Sequence, residues 1–336
     1  MLPIEQFFPE LSKPFKGIIT CHQKPDGDAM GSSLALYHFL KSMRHDVKVI
    51  APTNWAPFLD WMPGVNEVID FEANRAISTQ YMNEADFIFC LDFNILHRTK
   101  NLEPVIVHSK AVKILMDHHQ QPDTPSFGFG ISDVKKSSTC EMVYDFIVQS
   151  GHSNLINLDI AACIYTGLMT DTGSFRFPST TASVHKIVAH LKELGLQHSI
   201  IHENIFDQGS EARLKFMGNA FLYRMQVFPE LNTAMMAIPK ADIYKFELKT
   251  GDTEGLVNYL LSIHGIRFAA IVIDREEERK WSFRSKGMFD VNIFARNHFE
   301  GGGHANAAGG RSSKSVDETA ADFVEIIKTY KNQLTQ

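Results

Sequence analysis

The stretch CHQKPDGDAMG, residues 21 to 31, places His22, Asp26 and Asp28 at a spacing that neither a helix stripe nor a strand alternation produces. Similar groups recur downstream: Asp92 closes DFIFCLD, Asp117, His118 and His119 follow AVKILM, and Asp171 lies in YTGLMTDTGSF. Taken singly these are ordinary, since an isolated Asp-Gly-Asp is most often a turn with solvated carboxylates. Gathered in one crevice, Asp26, Asp28, Asp92 and Asp171 would repel one another, and only cations make such a cluster stable. With the imidazoles added, the donors are hard oxygens and ring nitrogens with no thiolate. That set suits Mn²⁺ best and admits Mg²⁺, Co²⁺ or Zn²⁺. Six ligands including a carboxylate able to bridge exceed what one open catalytic ion requires, so two divalent ions are expected.

The elements that must bring these groups together can be read from the apolar pattern. Strand-like GIITC, DVKVIAP, DFIFCLD and AVKILMD alternate with helical SSLALYHFLKSM and a helix from about Ser138. Nearly continuous apolar strands in βαβ alternation predict an α/β domain whose parallel sheet carries helices on both faces. In such a sheet, side chains in the loops after the strands converge beyond the carboxyl ends, which is where His22, Asp26, Asp28, Asp92 and the Asp117 triplet fall. Ser138 and Glu141 form an S-x-x-E capping box, and Gly151 stands where that helix would be capped at its end. A further helix, TASVHKIVAHLKEL, stops at Gly195.

The grammar then changes. The polar stretch 196–212 reads as a linker between a domain at 1–195 and a second at 213–336. NTAMMAIPK reads as a strand, and RFAAIVIDR and KWSFRSKG, separated by the charged EEER, read as an antiparallel hairpin. The helix DVNIFARNHF, the glycine-rich GGGHANAAGG and a final helix from about Val316 complete a smaller α+β domain.

The 336 residues suit two domains, and 44% hydrophobic with 21% charged residues is a globular composition. No run of about 18 apolar residues exists and the N-terminus lacks a signal-peptide pattern, so the expectation is a cytoplasmic protein without a membrane partner. The four cysteines lack paired spacing and read as reduced core residues. A formal charge of −6 argues against wrapping long duplex nucleic acid, but not against a short anionic substrate.

These residues resemble the DHH phosphoesterases, a family named for the triplet seen here as Asp117-His118-His119. His22-x-x-x-Asp26-x-Asp28 is similar to its first motif, Asp92 to its second, the triplet to its third and Asp171 to its fourth. The resemblance implies one ion held by His22, Asp26 and Asp92, and another by Asp28, Asp92, His118 and Asp171, with Asp92 bridging. GGGHANAAGG resembles the signature of the DHH-associated domain, through Gly301, Gly302, Gly303, His304, Ala307, Ala308 and Gly309. Successive glycines let backbone N–H groups approach an anion, and His304 can donate a further hydrogen bond. Arg284 matches the family position that contacts substrate phosphate, and Arg98, six residues past Asp92, lies where related nucleases carry an arginine near the nucleotide.

The implied chemistry is hydroxide attack on phosphorus without a covalent intermediate, helped by two ions that clamp the phosphoryl oxygens. His119 is the candidate for contacting the phosphoryl group or protonating the leaving alcohol. Two domains without an added oligonucleotide-binding barrel resemble the compact NrnA-type branch, implying cleavage of short RNA and linear dinucleotides, and hydrolysis of 3′-phosphoadenosine 5′-phosphate to AMP. The net acidity fits, because a substrate of about two to five nucleotides needs few phosphate contacts. The alternatives are a family II-like inorganic pyrophosphatase, which uses a different phosphate-binding signature, or a non-catalytic nucleotide-binding protein. The family resemblance also implies a possible homodimer.

Overall fold

The computed structural model describes residues 1–249, 251–275 and 278–335. Two compact units divide the chain, Met1–Gln208 and Gly209–Gln336.

The first unit is built on seven strands, β1 (Leu2–Pro3), β2 (Lys16–Thr20), β3 (Asp46–Ala51), β4 (Val68–Asp70), β5 (Phe87–Leu91), β6 (Val112–Asp117) and β7 (Phe129–Ser132). They lie in the order β1-β7-β6-β5-β2-β3-β4, and every pairing is parallel. Its helices are α1 (Gly27–Ser42), α2 (Arg75–Glu84), α3 (Glu103–His108), α4 (Thr139–Gln149), α5 (Leu158–Asp171), α6 (Ala182–Glu193) and α7 (His198–Phe206). Alternate strand residues feed two apolar layers. Ile19, Val49, Phe89, Leu91, Ile114 and Met116 pack with residues of α1, α4 and α5. Ile18, Ile50, Ile88, Cys90 and Leu115 pack with Met82 of α2 and Ile106 of α3. This is the expected sheet with helices on both faces. From β2 the chain winds outward one way to β4, and from β5 the other way to β7, so the order reverses between β2 and β5. Ligands of open parallel sheets bind at such a reversal.

Two local outcomes differ from the sequence reading. Helix α1 begins at Gly27 rather than at the serines, because Asp26 caps it by accepting from the N–H groups of Asp28 and Ala29; Asp28 therefore stands on the first helical turn. The capping box of α4 is only half formed. Ser138 accepts from Glu141 N–H, but the Glu141 carboxylate turns to Ser137 N–H and Oγ. The complete reciprocal box is at Ser315 and Glu318, at the start of the last long helix. The polar stretch 196–212 also has helical pattern in its sequence, and α7 lies within it.

Gly151 and Gly195 both adopt positive φ, 83° and 98°, and end α4 and α6 as left-handed caps. Helices α1 and α5 approach so closely that a Cβ on Gly31 would lie 2.6 Å from the Cys163 carbonyl oxygen.

The second unit holds a six-stranded sheet in the order β12-β13-β11-β10-β9-β8. The strands are β8 (Met225–Phe228), β9 (Thr233–Ile238), β10 (Phe268–Asp274), β11 (Arg279–Ser285), β12 (Gly302–His304) and β13 (Ala307–Ser312). Only β9 and β10 pair in parallel. The hairpin of β10 and β11 runs from Phe268 opposite Ser285 to Asp274 opposite Arg279, as expected; Glu276 and Glu277 of its charged loop lie outside the described residues. Helices α8 (Glu211–Tyr223), α9 (Lys240–Lys245), α10 (Leu256–Leu261), α11 (Val291–His298), α12 (Val316–Thr329) and α13 (Lys331–Leu334) complete it. The glycine-rich segment forms a strand pair, β12 with β13.

Candidate metal centre

Asp92 follows β5 directly and holds the centre together. Its N–H still bonds the Met116 carbonyl at 3.0 Å, but its φ of +63° turns the chain out of the sheet. Asp is among the few side chains that tolerate this left-handed region. The turn aims the buried carboxylate across the end of the sheet, one oxygen to each side. Oδ2 lies 3.4 Å from His22 Nε2, whose other carboxylate neighbour is Asp26 Oδ2 at 3.6 Å. Oδ1 lies 3.5 Å from His118 Nε2, which in turn is 3.7 Å from Asp28 Oδ2 and 3.3 Å from Asp171 Oδ2. His22, Asp26 and Asp92 form one candidate ligand group and Asp28, Asp92 and His118 another, each with its donor atoms within 4.8 Å.

The donors fit a metal. Two ligands each about 2.1 Å from a common ion, at angles near 90–110°, stand about 3.0–3.4 Å apart, close to these separations and longer than good hydrogen bonds. Both imidazoles are oriented for it. His22 Nδ1 is bonded to the Gln23 carbonyl at 2.9 Å and His118 Nδ1 to the Lys136 carbonyl at 3.2 Å, so each presents Nε2. Asp26 spends Oδ1 on the α1 amides and keeps Oδ2 for His22. Asp28 is buried against the start of α4, where its oxygens accept from Thr139 N–H at 2.6 Å and Cys140 N–H at 2.9 Å. Gly167 of α5 is required here, since a Cβ on it would stand 2.5 Å from Asp28 Oδ1.

The charges of the cluster bear strongly on one another. Burial, with Asp92 and Asp171 nearby, pushes the Asp28 carboxyl well above the usual range. Burial would also raise Asp92, but His118 and His22 outweigh it and hold Asp92 well below that range. Against burial, Asp26 and Asp92 push His22 up to about 10, and Asp92, Asp171 and Asp28 push His118 well above its ordinary value.

His119 adjoins these donors, its Nδ1 3.7 Å from Asp92 Oδ1, and Asp92, Asp117 and His119 form a further candidate ligand group. His119 Nδ1 donates to Asp117 Oδ1 at 2.7 Å and its backbone N–H to Asp117 Oδ2 at 3.1 Å, which fixes the ring. Burial lowers its pKa, partly countered by Asp117. Arg98 lies on a 3-10 segment, Leu96–Leu102, with Nη1 on the Asp92 carbonyl at 3.3 Å. The sequence reading missed the segment 136–140, whose amides, carbonyl and Thr139 hydroxyl bond several of these ligands. Its one legible signal was the Ser138 cap, which marks a helix N-terminus and so a set of free amides.

The remaining candidates belong to the second unit. Register pairs Arg284 with Ala307 and Ala307 with His304, so Arg284 and His304 share one row and one face across three strands. The N–H of Gly303 is taken by the buried Asn292 side chain at 2.9 Å, and Arg296 Nε donates to that same oxygen at 3.0 Å. Close packing demands the glycines. A Cβ on Gly303 would lie 2.5 Å from the Ala307 carbonyl oxygen, and one on Gly301 would overlap that of Gly309.

Residues 16–168 match the DHH family, N-terminal domain, and residues 234–333 match the DHHA1 domain. The chain belongs to the DHH family. Members of this family are phosphoesterases, and the chain is accordingly a hydrolase of phosphate esters. A Bacillus subtilis protein, the bifunctional oligoribonuclease and PAP phosphatase NrnA, is 27% identical over 318 residues, 94% of this chain and 95% of its own. A Thermus thermophilus protein of the same name is 29% identical over 323 residues, 95% of this chain and 90% of its own. In three dimensions, the crystal structure of an exopolyphosphatase-related protein from Bacteroides fragilis superposes with a TM-score of 0.94 at 36% identity, covering 99% of this chain and 97% of that one. No helix among the described residues is long and apolar enough to cross a membrane.

Proposed function

We propose that this DHH phosphoesterase binds two divalent ions, Mn²⁺ by preference, and hydrolyses short RNA oligonucleotides and linear dinucleotides to mononucleotides. 3′-Phosphoadenosine 5′-phosphate, converted to AMP, is the second substrate. The observation that carries the reading is the Asp92 carboxylate, whose two oxygens face two separate ligand groups. The names of the Bacillus and Thermus relatives support the substrates.

Bound there, the ions would lower the pKa of a shared water and polarise the phosphoryl oxygens. The chain's own residues supply the rest. Asp117 keeps His119 Nδ1 as a donor, so Nε2 is the ring atom that exchanges a proton with the leaving oxygen. Burial favours the neutral ring at His119, so it would be the charge of an arriving phosphate that favours the protonated form whose proton Nε2 passes to the leaving oxygen. Arg98, anchored on the Asp92 carbonyl, neutralises phosphate charge. In the second unit Arg284, His304 and the backbone at Gly302 hold the nucleotide, the Gly303 N–H being taken by Asn292.

A time course with 5′-labelled RNA from dimers upward, phosphoadenosine phosphate and pyrophosphate, in Mn²⁺ and in Mg²⁺, tests this. Mononucleotide release from the shortest RNA and AMP formation are expected. Preferential pyrophosphate turnover would make the protein a pyrophosphatase, and binding without cleavage a nucleotide-binding protein.

A further inference from the structure

We propose that the segment Lys136–Cys140, locked by Glu141, is a positioning frame for one of the two ion pockets, that of Asp28, Asp92 and His118. The inference rests on the dimetal reading above. Those three ligands come from three separate places in the chain, the first turn of α1 and the loops after β5 and β6. Each bonds the same five residues. His118 Nδ1 meets the Lys136 carbonyl at 3.2 Å, Asp28 accepts from the N–H groups of Thr139 and Cys140 at 2.6 and 2.9 Å, and Thr139 Oγ1 donates to Asp92 Oδ1 at 3.1 Å. The amides given to Asp28 are the opening N–H groups of α4, which have no partner within the helix and carry its positive end.

The frame is one-sided. Thr139 bonds the Asp92 oxygen that faces His118, whereas the oxygen facing His22 is the other one. His22 is oriented by the Gln23 carbonyl and Asp26 by the amides of α1. The Thr139 hydroxyl therefore fixes the rotation of the bridging carboxylate from one side only.

Glu141 holds the frame rigid without touching any ligand. Its buried Oε2 accepts from Ser137 N–H and Oγ, both at 2.8 Å, and its Oε1 from Lys136 Nζ at 3.2 Å. Lys136 Nζ also reaches Asp145 at 2.5 Å. A carboxylate that is 2% exposed persists only with such partners, and the same bonds fix the Lys136 carbonyl on which His118 rests. Groups that orient ligands from outside are worth about 10–100-fold in metal affinity.

The test uses full-length Thr139→Val, which keeps shape and backbone N–H but removes the hydroxyl, with Thr139→Ser and Glu141→Gln beside it. Stoichiometry and affinity for Mn²⁺ are read by calorimetry, and thermal stability is read on the metal-free proteins. Wild type is expected to take up two ions. Thr139→Val should keep one within about twofold and bind the other about 10–100-fold more weakly, with activity recovered at high Mn²⁺. Thr139→Ser should restore the second ion, and Glu141→Gln, whose single amide oxygen cannot accept from both Ser137 and Lys136, should weaken the same one. Adding His22→Ala to Thr139→Val should leave no tight ion. If wild type binds two ions and Thr139→Val is indistinguishable from it, or weakens both equally, the frame is refuted. Fewer than two ions in wild type overturns the dimetal reading, and the frame falls with it.

Discussion

Gly167→Ala is the substitution whose effect the structure specifies most closely. Position 167 lies inside α5, where alanine is favoured over glycine by about 1 kcal/mol on propensity alone. The added methyl, however, would overlap Cys140 Sγ and stand 2.5 Å from Asp28 Oδ1, and neither neighbour is the free end of a flexible chain. Cys140 is buried in the α1–α4–α5 core, and Asp28 is held by two α4 amides. Overpacking of this kind costs about 1–3 kcal/mol, so the net effect is a loss of up to about 2 kcal/mol in the first unit. At about 2–4 °C per kcal/mol for a unit of this size, Tm falls by up to about 8 °C. The relief available is to push Asp28 away, so the Asp28-side ion should also be lost while that of His22 and Asp26 remains. Gly218→Ala is the matched control, since it lies inside α8 with nothing within 4 Å of its added Cβ, and it should stabilise by about 0.5–1 kcal/mol. Thermal unfolding of the metal-free proteins and Mn²⁺ titration measure both. A Gly167→Ala protein at least as stable as wild type that still binds two ions would refute the account of how Asp28 is seated.

Asp117→Asn should lower kcat by about 10²-fold or more by releasing His119, with both ions still bound in a Mn²⁺ titration; loss of an ion would instead make Asp117 a ligand. Gly303→Ala, strained by its φ of +150° and by the Ala307 carbonyl, should raise KM for nucleotides at least about tenfold without changing ion stoichiometry. His45 is 3% exposed and lies over the Phe15 ring at 3.8 Å, and burial, only partly countered by the Leu11 backbone, lowers its pKa. Its stabilising contribution is then complete above the unfolded value near 6.5 and is lost as pH falls below it, amounting to at most about 2 kcal/mol at pH 5. His45→Phe should flatten the fall of Tm between pH 7.5 and 5, and parallel curves for the two proteins would remove His45 as the cause.

The candidate ligands could be picked out because the physics that would select them acts on residue type. A carboxylate or imidazole straight after an apolar strand, as at Asp92 and His118, has few reasons to be there other than a site at the sheet's edge. The long strands and helices were legible because each buries enough apolar residues to set a period. Strands β1, β4 and β7 have two, three and four residues and pair only as edges or extensions of a sheet already built, so no local pattern announces them. The start of α1 was hidden for another reason. Gly27 and Gly31 weaken a helix on propensity, and their presence makes sense only once Thr170 and Cys163 of α5 are seen against them.

The glycine-rich hairpin and the frame at 136–140 were illegible for a shared reason, which also says where their chemistry resides. In both, backbone groups are held by a side chain further along or back in the sequence: Asn292 accepts from Gly303 N–H, and Glu141 fixes the turn that presents the Lys136 carbonyl. A sequence records the side chain but not the direction it imposes, so Ser138 and Glu141 read as a routine helix cap. The half-formed box is informative because it is half formed. Had Glu141 closed on the Ser138 N–H, its carboxylate would have completed a cap; turned instead to Ser137 and Lys136, it stiffens the turn beneath His118 and Asp28. A capping motif whose acid reaches one residue too far, at the end of a strand facing a cluster of carboxylates, is therefore better read as part of the metal centre than as a device for starting a helix.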